Sequence, residues 1–295
     1  MAFRSMCLIA ATLACLCAGA ASLDAQARER VAFVSVANKD TGVPVDALSP
    51  TDIVVREDGA AREVLRVTPA SGPFPIAVIV DTSTDAESAV QDLRTALTSF
   101  AKELGGVGPV ALIGMGARPT VIADYASAPS AFQAGIGRVF ATPMSAATVI
   151  DAIDDVARGF GKRESERAAI VVLSTGGREG SSGAYQRALE RLMASGATLH
   201  VVMMRSPSRA PQDDDTRQRD TLLDRGTRNT GGSRRDVLAT QAFAPALADL
   251  ARLLTHQFRV VYARPQTLIP PESVTITAAS PAAVAYGGPA RGQQK

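Results

Sequence analysis

Four nearly uninterrupted apolar runs constrain the fold more than any other feature: PIAVIVD (75–81), PVALIGMG (109–116), AAIVVLST (168–175) and ATLHVVMM (197–204). A strand with one wet face alternates apolar and polar residues, whereas a continuous run belongs to a strand covered on both faces. Such strands occur in parallel sheets wrapped by helices. Helical periodicity follows the first run, with Ala89, Leu93, Leu97, Phe100 and Leu104 recurring at three and four residues before Gly105-Gly106. The spacing predicts further helices over 129–140 and 145–159, the second with Ser145 as N-cap and Val149, Ile153 and Val156 on one face. YQRALERLMASG (185–196) and residues 242–256, with Leu247, Leu250, Leu253 and Leu254 inward, read the same way, and TVIADY (120–125) as a short strand. Strand and helix in alternation give an α/β class: a doubly wound, mostly parallel sheet.

The flanks are β-rich. ERVAFVSVANKD (29–40) alternates and ends in turn residues, while TDIVVREDG and AREVLRVTPA flank Asp58-Gly59, a hairpin signal. Three or four short strands cannot stand alone. FRVVYARP (258–265) and SVTITAA (273–279) are expected to return to them. The expected division is a small β module over 28–72 completed by 257–279, the α/β domain over 73–256, and a disordered Pro/Gly/Ala-rich tail over 280–295. Residues 206–235 are strongly charged, with a surface helix expected between Asp215 and Asn229. Asp213-Asp214-Asp215 reads as solvated, because a consecutive triplet lacks the alternating spacing and distal glutamate of calcium loops.

The N-terminus has one early cation (Arg4), an apolar stretch from Met6 to about Ala18, then small residues. That is the layout of a secretory signal peptide over 1–27, and it holds all three cysteines (Cys7, Cys15, Cys17). A secreted or periplasmic, cysteine-free mature chain is expected. No later run reaches the ~18 residues of a membrane span. With 31 Lys+Arg against 29 Asp+Glu, 4% aromatic residues and no Trp, the chain lacks the charge and stacking surfaces of nucleic-acid binders.

Ligands of doubly wound sheets bind outside the carboxyl ends of the strands. At such an end stands Asp81-Thr82-Ser83-Thr84-Asp85, with side-chain oxygens at alternate positions, the donor type that hard cations take. Further on come SAATVIDAID (145–154), AAIVVLSTGGREGSS (168–182) and Asn229-Thr230-Gly231-Gly232, the last followed by the 242–256 helix and FRVVYARP. In this order the motifs resemble the von Willebrand factor type A domain, more narrowly the secreted bacterial proteins related to it. SPTDIVVREDGAAREVLRV (49–67) is similar to the strand-and-hairpin module that precedes the domain in such proteins.

The resemblance implies a metal-ion-dependent adhesion site, in which a divalent cation is held by Asp-x-Ser-x-Ser, a Thr of a second loop and an Asp of a third. A partner carboxylate completes the coordination. Asp81 and Ser83 match; Asp85 replaces the second serine, Ala147 stands at the threonine and Gly176 at the third-loop aspartate. The candidate metal residues are therefore Asp81, Ser83 and Asp85, with two donor positions lost. The implied function is a secreted, non-enzymatic protein-interaction module with a degraded cation site, an unidentified protein partner and no cofactor. The alternative is a magnesium-dependent site, at least a weak one, in which Asp85 ligates directly and water fills the gaps. Thr at 147 with Asp at 176 is expected to restore cation binding. A hydrolase would need His200 or His256 beside a nucleophile, but no Gly-x-Ser-x-Gly elbow occurs and Gly180-Ser181-Ser182-Gly183 reads as a loop and cap. Gly114-Met115-Gly116 and Gly135-Ile136-Gly137 lack the third glycine of a dinucleotide loop.

Overall fold

The computed structural model describes residues 28–163, 165–205, 213–265 and 269–292; the expected signal segment and its cysteines lie outside them. The chain opens with β1 (Arg28–Asn38), β2 (Ile53–Glu57), β3 (Ala60–Arg62) and β4 (Val64–Pro69). Next come β5 (Ile76–Val80), α1 (Val90–Leu104), β6 (Val110–Met115), β7 (Pro119–Ala126), α2 (Pro129–Ile136) and α3 (Val149–Phe160). They are followed by β8 (Ala168–Ser174), α4 (Tyr185–Ser195), β9 (Ala197–Met204), α5 (Asp214–Thr230), β10 (Arg234–Val237) and α6 (Phe243–Thr255). The last strands are β11 (Phe258–Arg264), β12 (Val274–Ala278) and β13 (Ala283–Pro289).

The four apolar runs are the four central strands of a six-stranded sheet in the order β10-β9-β8-β5-β6-β7, parallel except for β7 against β6. Both faces are covered, which is why β5 is wholly apolar and β8 carries a polar residue only at its last position, Ser174. Ile76, Val78 and Val80 point to a layer with Leu93, Leu97 and Phe100 of α1, Phe132 of α2 and Leu247 of α6. Ala77 and Ile79 point oppositely, toward Ile153 of α3, Leu192 of α4 and Leu222 of α5. A 3-10 turn (Thr84–Ala89) delays α1, so its helical face begins just behind the DTSTD loop.

The remaining strands form two antiparallel sheets, β13-β1-β11-β4 and β12-β2-β3, around Val34, Val36, Val55, Val260 and Tyr262. The Asp58-Gly59 turn has φ +48° and +82°, the left-handed pair that this dipeptide favours.

Three local expectations are corrected. The tail from residue 280 is not disordered over 283–289 but forms β13, paired with β1 from Ala32–Pro289 to Asn38–Ala283. Its Gly287 is needed for contact, since a Cβ there would lie 2.0 Å from the Phe33 carbonyl oxygen. The helix expected from Ser145 starts at Val149. The charged 206–235 region carries no mere surface helix, because α5 buries Arg219, Leu222, Leu223, Gly226 and Thr227. Its Asp213 caps the helix by accepting from Thr216 N (2.8 Å).

Candidate functional site

β5 ends at Val80, and Asp81 N still donates to Leu173 O (2.9 Å), so the Asp81 side chain emerges where β5 and β8 lie side by side. It is fully buried. Oδ1 accepts from Ser83 N (3.0 Å) and Ser83 Oγ (2.7 Å). Oδ2 accepts from Thr175 N (3.0 Å), Thr175 Oγ1 (2.7 Å) and Ser174 Oγ (3.4 Å). A buried carboxylate otherwise costs several kcal/mol, and here neutral dipoles alone compensate it. Ser83, fully buried too, gives its hydroxyl proton to Asp81.

Asp85 is brought to the third loop but not to the same point. Its Oδ2 accepts from Arg178 N (2.9 Å) and lies 3.7 Å from Arg178 Nε, with the side chain one-third exposed. Gly177 must be glycine for this contact, because a Cβ there would lie 2.4 Å from Asp85 Oδ2. The structure therefore gathers Asp81 and Ser83, and turns Asp85 toward an arginine. Among the described residues, no three His, Cys, Asp or Glu side chains cluster as a metal-binding group.

The two positions without an oxygen have structural occupants. Ala147 is buried in the α3 layer and forms a parallel bridge with the third loop, Ala147 N to Arg178 O (2.9 Å) and Gly180 N to Ala147 O (2.7 Å). Thr148 donates backward to Gly116 O (3.0 Å), and Ser145 Oγ donates to Thr142 O (2.7 Å). Gly176 has φ +75°, and a Cβ there would lie 2.3 Å from Met204 O. The expectation that an aspartate at 176 repairs the site is corrected on this ground: the loop has no space for its Cβ.

Below the loops lie Glu179, which spacing did not reveal, and Arg219. Glu179 accepts from Ser181 N (3.2 Å), Ser181 Oγ and Val149 N (3.4 Å) at the start of α3. Burial pushes its carboxyl up to about 7, against the pull of Ser181 and Arg219. Arg219 is buried and donates to Gly177 O, holding the third loop from α5. Neither histidine approaches these serines. His200 is bound by Ser233 Oγ (2.9 Å) and Thr198 Oγ1 (3.2 Å), with burial lowering it to about 4, and His256 Nδ1 meets Arg252 O (2.8 Å).

No protein-family model matches the chain, and no curated protein does. Among solved structures, a von Willebrand factor type A protein from Catenulispora acidiphila superposes with a TM-score of 0.50 at 10% identity, over 90% of this chain and 74% of its own. Together with the strand order and the loop positions, this decides the fold. The chain has the von Willebrand factor type A fold. The PilB minor pilin from Streptococcus sanguinis (TM-score 0.45, 14% identity) matches over 64% of this chain and 63% of its own, so the chain spans less than two thirds of the pilin. BatB from Bacteroides thetaiotaomicron (0.44, 14%) matches over 61% and 98%. In this von Willebrand factor A-like chain, the loop cluster at Asp81 occupies the carboxyl edge of the sheet.

Proposed function

We propose that the protein is a secreted or periplasmic, non-enzymatic interaction module whose sheet edge is closed by hydrogen bonds where an adhesion site would hold a cation. One observation carries the reading: five protein donors already occupy the two oxygens of Asp81. A cation would have to turn the Ser83 and Thr175 hydroxyl protons away from Asp81, and it would meet Gly176 where the adhesion site has its third-loop aspartate. The N-terminal signal layout supports export, and no described helix is long and apolar enough to cross a membrane. Direct ligation by Asp85, the magnesium-dependent alternative, must break its bond to Arg178 N.

Titration of magnesium or manganese into residues 28–295, followed by calorimetry, is expected to give no saturable heat, and the melting temperature to be equal in chelator and in excess magnesium. Saturable binding that disappears in Asp85→Ala would establish the magnesium-dependent alternative. Gly176→Asp/Ala147→Thr is expected to lower the melting temperature rather than restore binding, because of the Met204 clash.

A further inference from the structure

The loop between α2 and α3 exposes two large apolar side chains. Phe140 is 61% exposed and Met144 98% exposed. Met144 also has φ +54°, a left-handed conformation that an unbranched side chain takes only against its preference. Neither burial nor turn geometry calls for methionine there. The loop is nevertheless firmly held. Thr142 N donates to Thr82 O (2.8 Å), Thr84 Oγ1 to Thr142 O (3.1 Å), and Ser145 N to Thr84 Oγ1 (2.9 Å). Arg94 donates to Val139 O (3.0 and 2.8 Å), and its guanidinium lies 4.4 Å over the Phe140 ring.

Charge on the bracing segments is asymmetric. Arg94 braces one end of the loop. The segment whose Gly116 carbonyl holds Thr148 carries Arg118, exposed, and the third loop held by Ala147 carries Arg178, 69% exposed. Among the described residues no carboxylate pairs with Arg118, and Arg178 reaches only Asp85, at 3.7 Å from Nε. Acids on these segments are engaged: Asp85 accepts from Arg178 N, Glu179 is buried on Ser181, and Asp92 accepts from Thr240.

We propose that Phe140 and Met144, together with Arg118 and Arg178 on the two segments that brace their loop, form a metal-independent docking ridge for a protein segment that sets an acidic side chain beside a large apolar one. This rests on the interaction-module reading and names the partner's chemistry. A guanidinium takes a carboxylate through paired N–H donors and keeps its charge at every pH. A rigid aromatic beside a pliable thioether suits a partner's apolar side chain. The arginines select an acidic partner over a basic one, and the loop's bonds to the DTSTD segment remove the need for an ion to order it.

The test selects random displayed peptides on the full mature chain in chelator, then measures their binding by fluorescence anisotropy. Enriched peptides are expected to carry Asp or Glu next to an aromatic or aliphatic residue and to bind equally with magnesium. Phe140→Ser or Met144→Gly should weaken them about tenfold. Arg118→Gln and Arg178→Gln should weaken them several-fold and reduce the salt dependence. Met144→Gly relieves the left-handed backbone, so its melting temperature should not fall while affinity does; a parallel fall in both would overturn the assignment. Failure to enrich any saturable peptide, enrichment of basic peptides, or preference of the ridge for anionic vesicles or a second copy of the chain would overturn it too. A peptide that binds in chelator but ignores Phe140 and Met144 defeats the ridge and leaves the metal-free module intact. A peptide that binds only with magnesium defeats that module.

Discussion

Two carboxylates are buried in this molecule by opposite means. Glu57, in the small antiparallel sheets, is 2% exposed and is met by Arg62 Nε (2.9 Å), Arg264 Nε (3.3 Å) and the Tyr262 hydroxyl (3.1 Å). Asp81, at the edge of the parallel sheet, is fully buried and met only by hydroxyls and backbone amides. The difference follows from geometry. Long side chains lie across an antiparallel sheet and reach a neighbour's carboxylate. Parallel strand ends instead turn backbone N–H groups toward one point, a ready anion cradle. The Glu57 arrangement consumes full charges and is structural; the Asp81 arrangement uses the donors that would otherwise leave its oxygens open to a cation.

The contrast makes the largest prediction at Glu57. Glu57→Gln removes the charge of the one carboxylate that Arg62, Arg264 and the Tyr262 hydroxyl all meet, and is expected to destabilise the fold by about 4 kcal/mol in denaturant titration. A loss below about 1 kcal/mol, the value of a surface pair, would erase the distinction between the two burial modes.

Glu179 is the intermediate case, buried with hydrogen bonds too few to hold its charge, so its folded-state carboxyl rises from 4.5 to about 7. The folded protein therefore holds a proton that the unfolded chain has released, and stability falls as pH rises through that window, by about 3 kcal/mol in all. His200 has the reverse sign. Lowered from 6.5 to about 4, it refuses a proton that the unfolded chain accepts, so stability falls as pH drops through 6.5 toward 4. The two slopes oppose each other over the shared range. The parent protein is expected to be nearly flat in stability between about pH 4.5 and 6.5. Glu179→Gln should make it lose stability on acidification, and His200→Asn should make it gain. Parallel pH profiles for all three proteins would remove Glu179 from the buried, uncompensated class.

Much of this was legible before any coordinates. Runs such as AAIVVL declare burial on both faces because an unpartnered polar side chain would be costly there, and that determined the sheet. Asp81 and Ser83 were visible because their contact is local, two residues apart. Thr175 was not, although it binds Asp81 twice, because it lies 94 residues away and only the β5–β8 register brings it close. Asp85 looked like a ligand by spacing; its turn toward Arg178 depends on Gly177 lacking a Cβ, which spacing does not encode. Ser145 was a plausible cap by type but binds Thr84 and Thr142 instead. β13 was hidden by its glycines, which composition reads as disorder and close packing reads as clearance.

The smallest effect tests the Asp81 cradle itself. Asp81→Asn keeps the shape but turns one acceptor oxygen into a donor, facing either the Ser83 pair or the Thr175 group. Hydroxyls rotate away from such a conflict, but the backbone N–H groups of Ser83 and Thr175 do not, so one buried donor is left unsatisfied. The expected cost is about 2 kcal/mol, half that at Glu57, because no buried ion pair is broken. The decisive comparison is between the loss measured in chelator and in excess magnesium. In a cradle already closed by its own donors the two losses are equal. A larger loss with magnesium would mean that the cation binds the parent and adds to its stability through linkage, and Asp81 would then belong with carboxylates held by a positive charge, as Glu57 does.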